Sequence, residues 1–381
     1  MTGPDLPGMT EELAAQVLTW HAWLDQHPEP AWQERRTTAY LLEQLEPMGF
    51  RAHQVEGRTG AVAELGEGPR WVALRADLDA IWMGEDDGGY AVHSCGHSAH
   101  MAVVLGAAQL LSRTDLPDGV GVRLLLQPAE EPGTGALDLI ERGALDGVSH
   151  LFGLHLRPAD ELAAGDFAPA LHSGASETGL VTITGQDAHG ARPHQGRNAV
   201  DALVALHQVL PTLRYAPGES YSAKITRIRA GGRSTNVIPG RAECAIDLRA
   251  QRNEVLEDLR GRITAAAEGV AGTYGVDIAI EWCEHTPGAE VHPDAAAILA
   301  AAIRDVAGED HLAEEIVTPG ADDFHYYSYG RPELRTSMLA VGVGLTPGLH
   351  HPEVAYDTAP LPVAAEVLAR AVGLAGPLTQ A

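Results

Sequence analysis

Residues 71–80 read "WVALRADLDA", a short apolar run that ends in two carboxylates, Asp77 and Asp79. Two later runs have the same form. "GVRLLLQPAEE" (121–131) ends in Glu130 and Glu131, and "HLFGLHLRP" (150–158) carries His155. Helical patterns lie between them, "MAVVLGAAQLL" (101–111) and "ALDLIERGAL" (136–145). Apolar runs that alternate with helices indicate a largely parallel sheet covered on both faces. Ligands of such sheets bind outside the carboxyl ends of the strands. The three polar run-ends are therefore expected to point into one crevice.

The pattern changes after about Ser173. "ETGLVTITGQDAHG" (177–190) alternates as a half-exposed strand, and "NAVDALVALHQVL" (198–210) follows as a helix. Two strands come next, "YSAKITRIRAGG" (221–232) and "TNVIPGRAECAIDLRA" (235–250). A helix (254–272) and a strand, "DIAIEWCEH" (277–285), close the series. This β-α-β-β-α-β order predicts a ferredoxin-like module of about one hundred residues. Helix–strand alternation returns from about Asp294, through "SMLAVGVG" (337–344) to a final helix after Pro360. The expected architecture is α/β, with a catalytic domain in two parts, 1–173 and 289–381, and an α+β module, 174–288, inserted between them. No repeat is evident, and a soft stretch, "GLAGPLTQA" (373–381), occurs at the tail.

The formal net charge of −26 argues against nucleic-acid or anionic-membrane partners, because nothing basic is concentrated enough to meet phosphates. An anionic substrate would need a local arginine cluster, since Lys224 is the only lysine. No apolar run approaches the roughly 18 residues of a membrane span. The N-terminal stretch reads as a helix capped by Thr10 with Glu11 and Glu12 in its first turn, not as a leader, which predicts a cytoplasmic protein. Three cysteines imply no disulfide framework. Cys244 and Cys283 lie in strand-like runs and read as packing residues.

Cys95 is different. It stands in "HSCGHSAH" (93–100), two residues before His97, at a helix N-terminus that favours a thiolate. A closed structural zinc site would show paired ligands at wider spacing. The residues alone leave two readings open: metal ligands, or capping histidines beside a buried cysteine. Glu130 and Glu131 suit a solvated helix start as well as a metal ligand beside a proton shuttle. His155 could be structural, while "GLHHPEVAYD" (348–357) adds His350 and His351 in a loop. Together these groups offer one thiolate, one carboxylate and three imidazoles, enough for two ions sharing a water.

Eight motifs then fall in a single order: "LRADLDA", "HSCGHSAH", "LLQPAEEPGTGA", "LFGLHLRP", "DAHGARPHQGRNAV", "TNVIPGRAE", "GADDFHYY" and "LHHPEVAYD". The series resembles the amidohydrolase branch of the aminoacylase/carboxypeptidase-type metallopeptidase superfamily. That branch includes hippurate hydrolases, indole-acetyl-amino-acid hydrolases, N-acyl-amino-acid deacylases and N-acetyldiaminopimelate deacetylases. The match runs from about Trp71 to Asp357. It implies a zinc-peptidase-like α/β/α catalytic domain with an inserted ferredoxin-like lid or dimerisation domain. It also implies two divalent ions per subunit, Zn, Mn, Co or Ni, held by Cys95, His97, Glu131, His155 and His350.

The same resemblance makes Glu130 the general base and gives His189 the oxyanion, reached across a dimer. Asn236 and Arg249 would hold substrate, and Asp77 would orient a ligand from behind. Arg75 stands where other branches have a metal-binding histidine, which leaves Cys95 to compensate. Two departures stand out. Ser98 replaces the aspartate usual in the branch, and the interval from Asp79 to Cys95 is short. The expected activity is hydrolysis of the amide of a small N-acyl amino acid by a homodimer formed through the inserted module, or by a higher oligomer. A dipeptidase or carboxypeptidase would use the same centre. A metal-bound, non-catalytic binding protein is the alternative of another class; Glu130 favours the enzyme.

Overall fold

The Arg70–Asp77 strand sends Val72, Leu74 and Ala76 into one apolar cluster and Ala73 into another. A period-two division with apolar residues on both sides means that both faces of the sheet are covered. The computed structural model describes residues 6–54, 57–84, 88–116 and 119–375. Residues 85–87 of the short Asp79–Cys95 interval, and 376–381 of the soft tail, lie outside them.

Two compact units divide the chain. The first comprises Met1–His172, Glu290–Val317 and Asp322–Ala381. Its central strands are parallel: Arg70–Asp77 lies between Val120–Gln127 and Val148–Pro158, and the latter pairs with Arg335–Leu345. Antiparallel strands close both edges, so the sheet is mixed and the parallel expectation holds for its centre. Arg51–His53 and Ala61–Leu65 form a hairpin, whose short connection allows only antiparallel pairing. The His97–Leu111 helix is buried on almost every side, packed against Glu11–Asp25 and Leu361–Ala375. A helix apolar all round needs such cover, and each buried leucine in it contributes about 1.5–3 kcal/mol. Thr10 caps the first helix by accepting from the Leu13 N–H at 3.2 Å. Among the described residues, no helix is long and apolar enough to cross a membrane.

The second unit comprises Ser173–Ala289 and Thr318–Ala321. Its four antiparallel strands run in the order Tyr221–Ala230, Arg241–Ala250, Ala175–Thr184, Asp277–Thr286. Ala242, Cys244, Ile246 and Leu248 share one face and pack against the Ala199–Val209 and Asn253–Tyr274 helices. This is the β-α-β-β-α-β order expected from the sequence. Thr318–Ala321 joins the unit because the Gly174 N–H donates to the carbonyls of Thr318 (3.1 Å) and Gly320 (2.9 Å). Sequence pattern alone places those four residues in the other domain.

Candidate metal centre

The four parallel strands deliver the chemistry at their carboxyl ends, all within the first unit. Asp77 ends the first, and Gln127 leads through Pro128 and Ala129 to Glu130 and Glu131. His155 lies near the end of the third, and Leu345 leads to the loop that bears His350. Cys95 and His97 flank Gly96, which caps the central helix at φ +90°, a conformation costly to any residue with a Cβ.

Hydrogen bonds fix the tautomers of two imidazoles. His97 Nδ1 donates to the Asp79 carbonyl at 2.8 Å, and His155 Nδ1 donates to the Leu156 carbonyl at 2.7 Å. Each ring, when neutral, is left with a bare Nε2; at His97 burial disfavours the imidazolium, but the Asp77, Glu131 and Asp79 carboxylates outweigh it and raise the pKa. The Nε2 of His155 lies 3.6 Å from Cys95 Sγ. That of His97 is buried without a hydrogen-bond partner among the described residues, 3.8 Å from both Glu130 Oε2 and Glu131 Oε1. His350, at φ +64°, places Nε2 3.6 Å from Glu131 Oε2. His351 instead caps its turn by accepting from the Glu353 N–H.

Two donor groups overlap at Cys95: Cys95, His97 and His155, and Cys95, Glu131 and His350. His97, Glu130 and Glu131 form a third. Within each, the ligand atoms lie within 4.8 Å of one another, so all five expected ligands come together with Glu130. The residues fit a divalent ion. Among the described residues, His97 Nε2 and Glu131 Oε1 are buried without a hydrogen-bond partner of standard geometry, and a thiol, imidazoles and a carboxylate are donors such ions accept. Electrostatics agree. Burial, then Glu131 and Glu130, push the Cys95 thiol well up. Burial lifts Glu131 to about 7, and burial with Asp322 and Glu131 lifts Glu130 well above the usual carboxylate range. A cation favours the ionised form of every one of these groups. Burial, then His100, lowers His155 to about 3, which keeps its nitrogen bare.

The third histidine of the motif has another task. His100 Nδ1 donates to Asp77 Oδ1 at 2.8 Å, and its Nε2 accepts from the Leu156 N–H at 3.1 Å. Asp77 thus orients His100, while Asp79 stands behind His97. His93 is buried with neither ring nitrogen partnered among the described residues; burial and His97 lower it to about 3. Ser98 Oγ donates to Asp25 Oδ1 at 3.1 Å, so a carboxylate from the first helix stands beside the position where the branch carries its own.

Arg75 is marked by the family resemblance only as the residue in place of a metal-binding histidine. It is 1% exposed and donates to Gln127 (2.9 Å), Asp77 (2.5 Å), Asp322 (3.4 Å) and Asp323 (3.0 Å). Glu130, Asp322 and Asp323 also form a close carboxylate group, with the guanidinium as its buried counter-charge. A charged residue inside an apolar run, and adjacent aspartates in "GADDFHYY", were the available signals.

The remaining expected residues lie in the second unit. His189 sits in a short ribbon where Ala188–His189 pairs with Val237–Ile238, and the Gly190 N–H donates to the Asn236 carbonyl at 2.7 Å. His189 and Asn236 are therefore neighbours. Arg249 is not. It lies at the other end of the Arg241–Ala250 strand, on the order of 30 Å along it from Gly240, and pairs with Asp247 at 3.2 Å.

Comparison with known proteins decides the family. The model of peptidase family M20/M25/M40 matches residues 73–373. The chain belongs to this family. It is 30% identical over 381 residues to the N-acetyl-L-cysteine deacetylase of Bacillus subtilis (strain 168), covering 93% of this chain and 89% of that one. It is 32% identical over 362 residues to a protein of Rhodococcus jostii (strain RHA1) described provisionally as glutamate–cysteine ligase 2-3. That match covers 91% of this chain but spans only 45% of the relative. A Bacillus subtilis crystal structure, described as a dinuclear metal binding peptidase of the M20 family, superposes with a TM-score of 0.79 at 26% identity, covering 96% of this chain and 99% of that one. As an M20-family member the chain is a hydrolase that acts on amides.

Proposed function

We propose that this M20-family hydrolase removes the acyl group from small N-acyl amino acids. The observation that carries the reading is the meeting of five donor residues with a sixth group, the Glu130 carboxylate, which we assign to proton transfer. Cys95, His97, Glu131, His155 and His350 would hold two divalent ions. When bound, the ions supply Lewis acidity and lower the pKa of a water toward neutrality. Glu130 takes a proton on its carboxylate and gives it to the departing amine nitrogen. Burial and Asp322 favour proton uptake there. The deacetylase among the relatives supports an N-acyl substrate.

The oxyanion is assigned to His189 of a partner subunit, with Asn236 beside it, in a cytoplasmic homodimer or higher oligomer. Two features support this. His189 follows Thr184, at the end of its sheet remote from Ala175, where the chain enters the unit. The outer Tyr221–Ala230 strand also has one edge unpaired among the described residues and exposes Ile228, which suits a second copy. Arg249, at the opposite end of the sheet, would hold substrate within its own chain. The test is a panel of N-acetyl, N-benzoyl and longer N-acyl amino acids beside dipeptides, after reconstitution with Zn, Mn, Co or Ni. Cleavage of N-acyl amino acids is expected; hydrolysis of dipeptides alone would overturn the reading.

A further inference from the structure

Glu34 is completely buried, yet it is not one of the donors. Its Oε1 accepts two backbone N–H groups, from Trp32 at 3.0 Å and from Ala129 at 2.8 Å. Both residues are left-handed, Trp32 at φ +64° and Ala129 at φ +49°. That conformation is costly without glycine and persists only where the surroundings enforce it. The next two N–H groups, of Glu130 and Glu131, go to Asp79 Oδ1 (2.9 Å) and Oδ2 (3.1 Å). Two buried carboxylates from separate segments thus collect three successive N–H groups of the turn that carries both site glutamates. The Glu34 segment is itself pinned. The Glu34 carbonyl accepts from the Thr38 hydroxyl at 2.5 Å, that hydroxyl accepts from the Gly60 N–H at 2.9 Å, and the Glu29 carbonyl accepts from the Ala80 N–H at 2.8 Å.

We propose that Glu34 is a positioning residue for Glu130: by holding Ala129 left-handed, it aims the Glu130 carboxylate into the donor cluster. The proposal rests on the assignment of Glu130 as the base. Glu34 belongs to none of the donor groups. Its effect should therefore fall on kcat rather than on KM or metal content.

The experiment uses the full metal-loaded chain and measures kcat, KM and metal stoichiometry. Glu34→Ala is expected to lower kcat on the order of tenfold or more, with KM and metal content held. Glu34→Gln keeps a carbonyl acceptor and should recover most of the loss. Ala129→Gly added to Glu34→Ala should restore part of it, because a residue without a Cβ adopts the conformation unaided. Should Glu34→Ala fail to fold, Glu34→Asp, which keeps the charge but shortens the reach, is expected to show the same loss and the same recovery. A loss of metal in step with kcat, or no recovery from Ala129→Gly, would make Glu34 a packing residue and overturn the proposal. Glu130→Gln is assayed alongside. If it keeps turnover, the base assignment falls and the proposal with it. If it is inactive while Glu34→Ala turns over normally, the proposal alone falls.

Discussion

Glu130 and Glu131 are adjacent and chemically identical, so only their surroundings can divide their tasks. Glu131 shares a donor group with Cys95 and His350, whereas Glu130 also faces Asp322 and Asp323. Glu130→Gln should therefore keep its metal and lose turnover by on the order of 10²–10⁴, the usual worth of a general base. Metal analysis beside the rate checks this, and loss of metal would mean that the two tasks are exchanged. Cys95 gives a second prediction. As a ligand it should resist thiol reagents in the loaded protein and react after chelation, and Cys95→Ala should lower metal stoichiometry. Equal reactivity in both states, with normal metal binding by the variant, would leave it a packing residue. What the sequence could not supply at this scale was how each ring is used. His97 and His100 stand in one short motif, but a carbonyl frees one Nε2 and an amide occupies the other. Arg75 was equally opaque, because two of its partners, Asp322 and Asp323, lie 247 and 248 residues away.

At the scale of elements, the parallel centre was legible because buried strands carry unbroken apolar runs and their polar ends fall on one side. The antiparallel edges were not, since short strands such as Phe167–Ala168 have too few residues to show a period. The Gly135–Glu141 helix is also shorter than the apolar pattern over 136–145 suggested, and its start matters more than its length. A Cβ at Gly135 would lie 1.6 Å from the Pro128 carbonyl oxygen, and the Gly135 N–H donates to the Ala129 carbonyl at 3.0 Å. Helix start and glutamate turn are locked together there. Gly135→Ala must displace the turn, at an overpacking cost of about 1–3 kcal/mol. The expected result is a lower melting temperature together with reduced kcat in the metal-loaded protein. Unchanged melting and turnover would show that the turn tolerates displacement and does not set the geometry of Glu130.

At the scale of the whole molecule, His189 belongs to the inserted unit, while the donors and Glu130 belong to the other. A contact completed between two chains leaves no period or spacing in either one, so only the family resemblance suggested it. If His189 serves the partner's site, it should stabilise charge that develops in the transition state and leave metal content alone. His189→Ala should then retain its ions and lose turnover. The decisive measurement is complementation. Inactive His189→Ala and inactive Glu130→Gln are mixed under conditions that allow subunit exchange. In a mixed dimer, the site of the His189→Ala chain keeps its own Glu130 and receives His189 from the Glu130→Gln chain. The other site lacks both groups. One intact site per mixed dimer, with random exchange making half of the dimers mixed, sets the expected recovery at roughly a quarter of wild-type activity. A His189 that acts within its own chain gives no intact site in any combination. Absence of recovery in a sample shown to contain mixed dimers would therefore place His189 in its own chain's site or outside the mechanism.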